Sequence, residues 1–184
     1  MLRAQFQEYL DRLLEPAHVR DYCPNGLQVE GRPQIDRIVC GVTASLALIE
    51  AAIARKADAI VVHHGYFWRG EDPRIVGVRR GRMASLLVND INLFAYHLPL
   101  DLHPELGNNA QLAKLMGWVA EARFGEQDLG WIGLPELETS PAHVARAITA
   151  RLGREPLLVG EPNRLVRRLA WCTGAAQSMF EEAI

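Results

Sequence analysis

Cysteine is the first shortage: Cys23, Cys40 and Cys172 are the whole supply, odd in number and far apart. With no CxxC pair they set up no disulfide framework, which fits a soluble protein of a reducing cytoplasm. Long apolar runs are missing as well, and none approaches the ~20 residues of a transmembrane helix. The N-terminal stretch MLRAQFQEYLDRLLEP is broken by charges and lacks the apolar core and small-residue cleavage site of a secretory signal. Neither sign of charge dominates, since 20 basic residues face 22 acidic ones for a net charge of −2. That balance argues against nucleic acid or an anionic membrane as a partner. No phosphate-binding glycine loop is present either: GVTAS, after the first buried run, lacks the lysine and the glycine pattern. Internal repeats and low-complexity tracts are absent.

What remains is an ordinary globular composition. A hydrophobic content of 49% over 184 residues supplies a real core, for one large domain or two small ones, without help from disulfides or metal. Phe6, Tyr9, Leu10, Leu13 and Leu14 recur at helical spacing and predict a helix over 3–14. Pro24-Asn25-Gly26 marks a tight turn. Buried strands are predicted over 37–42, 58–62 and 91–96, separated by helices over 46–56, capped by Thr43 or Ser45, and 79–89. Asn108-Asn109 opens a further helix that Gly117 closes. Strands alternating with helices imply parallel pairing and a sheet covered on both faces.

The segment 118–140 reads as irregular, with Gly125, Gly130, Gly133 and Pro135. Ser140-Pro141 then starts a helix over 141–152 that ends at Gly153. Strands are expected over 156–159 and 165–171, and a helix from Gly174. The fold class is therefore α/β, two α/β domains with mainly parallel or mixed sheets flanked by helices, divided as 1–124 and 125–184. The final GAAQSMFEEAI stops after about two uncapped helical turns, which predicts an incomplete element.

In an open parallel sheet, ligands bind beyond the carboxyl ends of the strands. His63-His64 follows one predicted strand, and His97, Asp101 and His103 follow the next in YHLPLDLH. If the strands are parallel neighbours, His63, His64, His97 and Asp101 share one edge. Consecutive strand residues point to opposite faces, so the two adjacent histidines either serve different ions or converge because the strand has ended. Gly65 permits the turn that convergence requires. An aspartate can bridge two cations about 3.5–4 Å apart. Imidazole with carboxylate suits Zn, Fe, Mn, Co or Ni equally.

Plainer roles fit other residues. His18 and His143 read as surface or core histidines, and His103, before Pro104, as structural. Tyr66-Phe67-Trp68 could stack on a planar substrate or pack beneath a pocket. Arg69, Arg74, Arg79, Arg80 and Arg82 could face a phosphate or form a solvated helix face. Cys40, inside an apolar strand, reads as inert.

Taken together, DYCPNGLQVEG, GVTAS, VHHGYFWRG, INLFAYHLPLD and ELGNNAQLAKLMG resemble, in order and spacing, the dinuclear-metal family called GTP cyclohydrolase 1 type 2, or Nif-three-like. WCTGAAQS is similar to its bacterial members. The resemblance implies two α/β domains, a two-metal centre in a cleft and a toroidal homohexamer. On matching positions it makes His63, His64 and Asp101 ligands of two divalent metal ions per subunit. His97 is placed at or beside the centre, as an acid/base or water-orienting catalytic residue. The implied reaction is water attack on a ring carbon of GTP or another purine nucleotide. The family's further His and Glu ligands, in a segment resembling GHHATERGG, have no counterpart before Ile184. A truncated product, a degenerate member and donation by a neighbouring subunit are the three readings of that difference. The alternative function is a non-catalytic metal-binding or scaffold protein with an incomplete centre.

Overall fold

The computed structural model describes all 184 residues, and they form two compact units, Met1–Leu100 and Asp101–Ile184. In the first, α1 (Arg3–Leu14) leads to β1 (Gly26–Val29), β2 (Ile38–Thr43), α2 (Leu46–Ala54), β3 (Ala59–His64), α3 (Gly77–Val88) and β4 (Asn92–Ala95). The sheet order is β1-β4-β3-β2. Strands β2, β3 and β4 are parallel, with Thr43 beside His64 and Val62 beside Ala95, while β1 runs antiparallel to β4.

Strand alternation assigns the two faces of this sheet. Ile60, Val62, Leu93 and Ala95 join Ile49 and Ala52 of α2 and Met83 and Leu86 of α3 in one core. Ala59 and Phe94, one step out of phase, join Phe6, Leu10 and Leu14 of α1 in a second. Phe6 meets Phe94 edge to face at 5.2 Å, a favoured aromatic geometry. Both faces are thus covered, as the alternation of elements predicts. The Ser45 hydroxyl accepts from the Leu48 N–H at 3.2 Å, which settles the cap of α2.

Strand β1 lies where the sequence shows only turn residues. It starts at Gly26, held at φ 103, and an antiparallel partner for β4 is not foreseen by the alternation of strands and helices. Strand β2 stands at the sheet edge, so Cys40, expected to be inert within an apolar strand, is exposed. The apolar run 37–42 has only one paired neighbour, which is why its inward reading fails for this side chain.

The short helix α4 (Leu98–Leu102) spans the junction, and the second unit continues with α5 (Asn108–Met116), β5 (Val119–Phe124), β6 (Gly130–Leu134), α6 (Pro141–Leu152) and β7 (Leu169–Trp171). Its sheet, ordered β5-β6-β7, is antiparallel throughout. Ala113 of α5 packs with Trp131 and Trp171. Because α5 packs there and β5 pairs with β6, both elements fall in this unit, although the division drawn at 124/125 places them in the first.

Four local expectations differ from the structure. The irregular-looking 118–140 is the β5–β6 pair; a side chain at Gly133 would collide with the Val119 backbone, so this glycine serves close strand packing rather than a loop. Residues 156–159 form no strand, and Leu157 and Val159 are exposed. The strand read over 165–171 is reduced to Leu169–Trp171 plus a lone bridge from Val166 to Thr139, and the last residues form short 3₁₀ turns, Gln177–Met179 and Glu181–Ala183, rather than an α-helix.

Candidate metal centre

The two adjacent histidines are the last residues of β3, still within the ladder, since His64 remains paired with Thr43. The strand has therefore not ended before them. Nor do they need different faces: their rings lie 4.4 Å apart, and His97, just beyond β4, brings its ring to 4.9 Å from His63 and 5.7 Å from His64. The pleat separates neighbouring Cβ atoms, but at a strand terminus the longer rings can still meet past the sheet edge. One imidazole nitrogen from each of the three residues lies within 4.8 Å of the others. Gly65 contributes differently from the expected turn. A side chain there would strike the Gln28 amide and the Ala95 methyl, and Gln28 Oε1 accepts the Tyr66 N–H at 2.7 Å.

Hydrogen bonds orient these rings. His63 Nδ1 faces the Tyr96 carbonyl at 3.2 Å. A carbonyl only accepts, so Nδ1 carries the hydrogen and Nε2 keeps its lone pair. His64 Nδ1 lies 3.2 Å from the Thr43 hydroxyl, which can accept or donate. His97 is held at two points: its backbone N–H donates to Asn25 Oδ1 at 2.7 Å, and its Nδ1 lies 2.8 Å from Asp21 Oδ1. Trp68 walls the group, its ring edge-on to His97 at 4.8 Å and 6.0 Å from His64.

The Asp21 side chain is enclosed, 2% exposed. Burial pushes its carboxyl pKa upward, but hydrogen bonds from His97, the Asn25 amide and the Leu98 and Tyr22 N–H groups prevail and lower it to about 2. Asp21 and His97 also form a second ligand-type group with Cys23. Burial, and then the Asp21 charge, raise the Cys23 thiol to about 12 in the metal-free protein. The three-histidine group also suits a divalent ion, with three neutral imidazole donors.

Asp101 lies on α4, four positions after His97 in the chain, and belongs to the second unit. Its carboxylate is buried and accepts from Asn108 Nδ2 at 2.6 Å. His103 Nδ1 accepts the Glu105 and Leu106 N–H groups, which fits a structural role, and His18 is a surface residue 3.7 Å from Glu15. Of the aromatic trio, Tyr66 is buried, its hydroxyl donating to the Ala44 carbonyl, while Phe67 is partly exposed. Arg74 and Arg79 are paired with Asp72 and Glu71, which accounts for two of the basic residues without a phosphate. A cavity of about 680 Å³ in the second unit has Val144, Ile148, Leu158 and Val166 in its wall and no histidine.

A family model described as Duf34/NIF3 (NGG1p interacting factor 3) matches residues 1–184. The chain belongs to the DUF34/NIF3 family. It is 53% identical over 182 residues to a Pseudomonas aeruginosa protein named GTP cyclohydrolase 1 type 2 homolog, covering 96% of this chain and 71% of that one. Among solved structures it is similar to protein ybgI, of unknown function, at 48% identity and a TM-score of 0.95, over all of this chain and 74% of the other. TTHA1606 from Thermus thermophilus is similar at 30% identity and a TM-score of 0.88, again over the whole chain and 75% of the neighbour.

In this DUF34/NIF3 chain the structure brings His63, His64 and His97 together, as the strand-end argument predicts. Asp21, Asn25 and Trp68 join them without having been singled out as a group. Asp21 and Asn25 sit in DYCPNG, which local pattern shows as a turn and the resemblance as a motif without a site role, and their positions precede His97 by 76 and 72 residues. The one available signal was a short run of Asx residues and a proline that could fold back on itself.

Proposed function

We propose that this DUF34/NIF3 chain is a metal-dependent hydrolase whose centre uses His63, His64 and Asp101 to hold two divalent ions and acts on GTP or a related purine nucleotide. The observation that carries this reading is the meeting of three imidazoles past the carboxyl ends of two neighbouring parallel strands. The His63 ring, with Nδ1 committed to a carbonyl, has the tautomer a metal ligand needs, and the buried Asp101 would add a carboxylate donor. Zn, Fe, Mn, Co and Ni all match this donor set. When bound, such ions supply Lewis-acid polarisation and lower the pKa of water.

His97 serves as the proton-transfer group. Its Nδ1 is occupied by Asp21, so Nε2 is the atom that takes a proton from the attacking water and returns it to the departing ring nitrogen. The exposed part of the Trp68 loop offers the purine an aromatic edge. The names of the relatives support a purine nucleotide as the substrate class. A toroidal homohexamer acting in the cytoplasm completes the proposal.

Metal analysis and turnover test it together. Purified protein is expected to carry a transition metal that is lost in His64→Ala, and to show metal-dependent GTP turnover that is lost in Asp101→Ala. No bound metal and no change in His64→Ala would defeat the reading. Metal uptake without turnover would replace it with the scaffold alternative.

A further inference from the structure

The geometry points to Asp21 as a positioning residue of this site: its carboxylate fixes His97 as the Nδ1–H tautomer and leaves Nε2 as the nitrogen that faces the chemistry. The inference rests on the reading of His97 as the proton-transfer group and assigns the residue that makes it one.

Both oxygens of Asp21 are committed. Oδ1 receives the Tyr22 N–H at 2.6 Å and lies 2.8 Å from His97 Nδ1, while Oδ2 receives the Asn25 amide and the Leu98 N–H, each at 2.9 Å. A carboxylate surrounded in this way is an acceptor only, so the hydrogen between it and the ring belongs to Nδ1. The three histidines are not held alike. His63 leans on a neutral carbonyl and His64 on a hydroxyl, but His97 has a charged partner. Charge-assisted hydrogen bonds are roughly twice as strong as neutral ones, so the Asp21 carboxylate sets the tautomer of His97 firmly.

Turn formation alone does not account for Asp21. The bonds to Tyr22 and Asn25 close the turn, but those to the His97 ring and the Leu98 backbone reach an element 76 and 77 residues away. Asn25 strengthens the same grip, donating to Asp21 through Nδ2 while its Oδ1 accepts the His97 N–H. The DYCPN loop therefore sets the backbone position of His97 as well as its ring, which fixes where Nε2 lies relative to His63 and His64.

The test is a long-range ¹H–¹⁵N spectrum of the imidazole side chains in the full-length, metal-free protein at a pH where the rings are neutral. The His97 signals are assigned by their loss in His97→Gln. Wild type is expected to show His97 protonated at Nδ1 and not at Nε2. In Asp21→Asn the amide can donate to the ring, and the population is expected to move to the Nε2–H form. Finding Nε2–H in the wild type, or an unchanged Nδ1–H form in Asp21→Asn, overturns the inference. The wild-type spectrum decides even if the variant does not fold. In metal-loaded protein assayed with GTP, Asp21→Asn should lower kcat by about 10–100-fold with KM unchanged, the usual effect of losing a group that orients a site histidine. Absence of GTP turnover in the wild type would count against the proposed hydrolase but not against Asp21, because the tautomer is read without catalysis.

Discussion

Asp58 is a carboxylate that the first unit buries at the foot of its sheet, and three donors make that possible. The Asp36 and Arg37 N–H groups reach Oδ2 at 3.0 and 2.8 Å, and Arg32 reaches Oδ1 at 2.9 Å. Burial raises its pKa, but the backbone donors and the Arg32 charge outweigh burial and lower it. Asp58→Ala should destabilise the protein by about 1–3 kcal/mol in urea unfolding, because two backbone donors lose their acceptor. The pH dependence follows from the direction of the shift. A carboxyl whose folded pKa lies below its unfolded value of about 3.9 stabilises fully above that value and loses the contribution as pH falls through the folded pKa. The gap between wild type and variant should therefore be widest near neutrality and shrink in acid. A sequence shows Asp58 only as a charge before a strand. Its three partners come from a loop 21 to 26 residues earlier and cannot be read from local pattern.

Elements were legible where a periodic face continued for several turns or where a cap had distinctive chemistry. Helices α1, α5 and α6 lie close to their expected ranges, and Gly117 and Gly153 close the last two in the left-handed region. Strand existence was legible when a β-branched run was sandwiched between helices. It was hidden when glycine served packing, as at Gly133, or when pairing was antiparallel, as for β1. The run 156–159 erred in the other direction: it is apolar but pairs with nothing. Caps give a measurable check at this scale. Ser45→Ala removes the acceptor for the Leu48 N–H and should lower stability by about 0.5–2 kcal/mol, read as a shift in the denaturation midpoint at constant slope. Ser45→Asp, which also accepts at an N-cap, should restore most of that loss.

At the scale of the molecule, two units with their own sheets can be followed by three cysteines. Cys40 is exposed on β2 and Cys23 is buried, both in the first unit, while Cys172 is half-buried in the second. A thiol-reactive probe should label Cys40 in the native protein and leave Cys23 untouched. Across a urea series, Cys23 labelling should rise with the opening of the first unit and Cys172 labelling with that of the second, as mass spectrometry of peptides would show. Early labelling of Cys23 under native conditions would contradict its placement. The histidine positions of the candidate site were visible in the sequence because parallel strands deliver their carboxyl ends to one edge. The residues that orient His97 were not, because the chain supplies Asp21 and Asn25 from a loop outside that alternation.

The long reach from Asp21 to His97 also has a consequence for how the site comes into being. An order of synthesis is built into it: Asp21 emerges first, and its partner follows 76 residues later, after β1, β2, α2, β3, α3 and β4. A contact of such sequence separation carries a loop-closure entropy cost that the elements between must offset. A correctly oriented His97 ring therefore requires that the first and last segments of the first unit have come together.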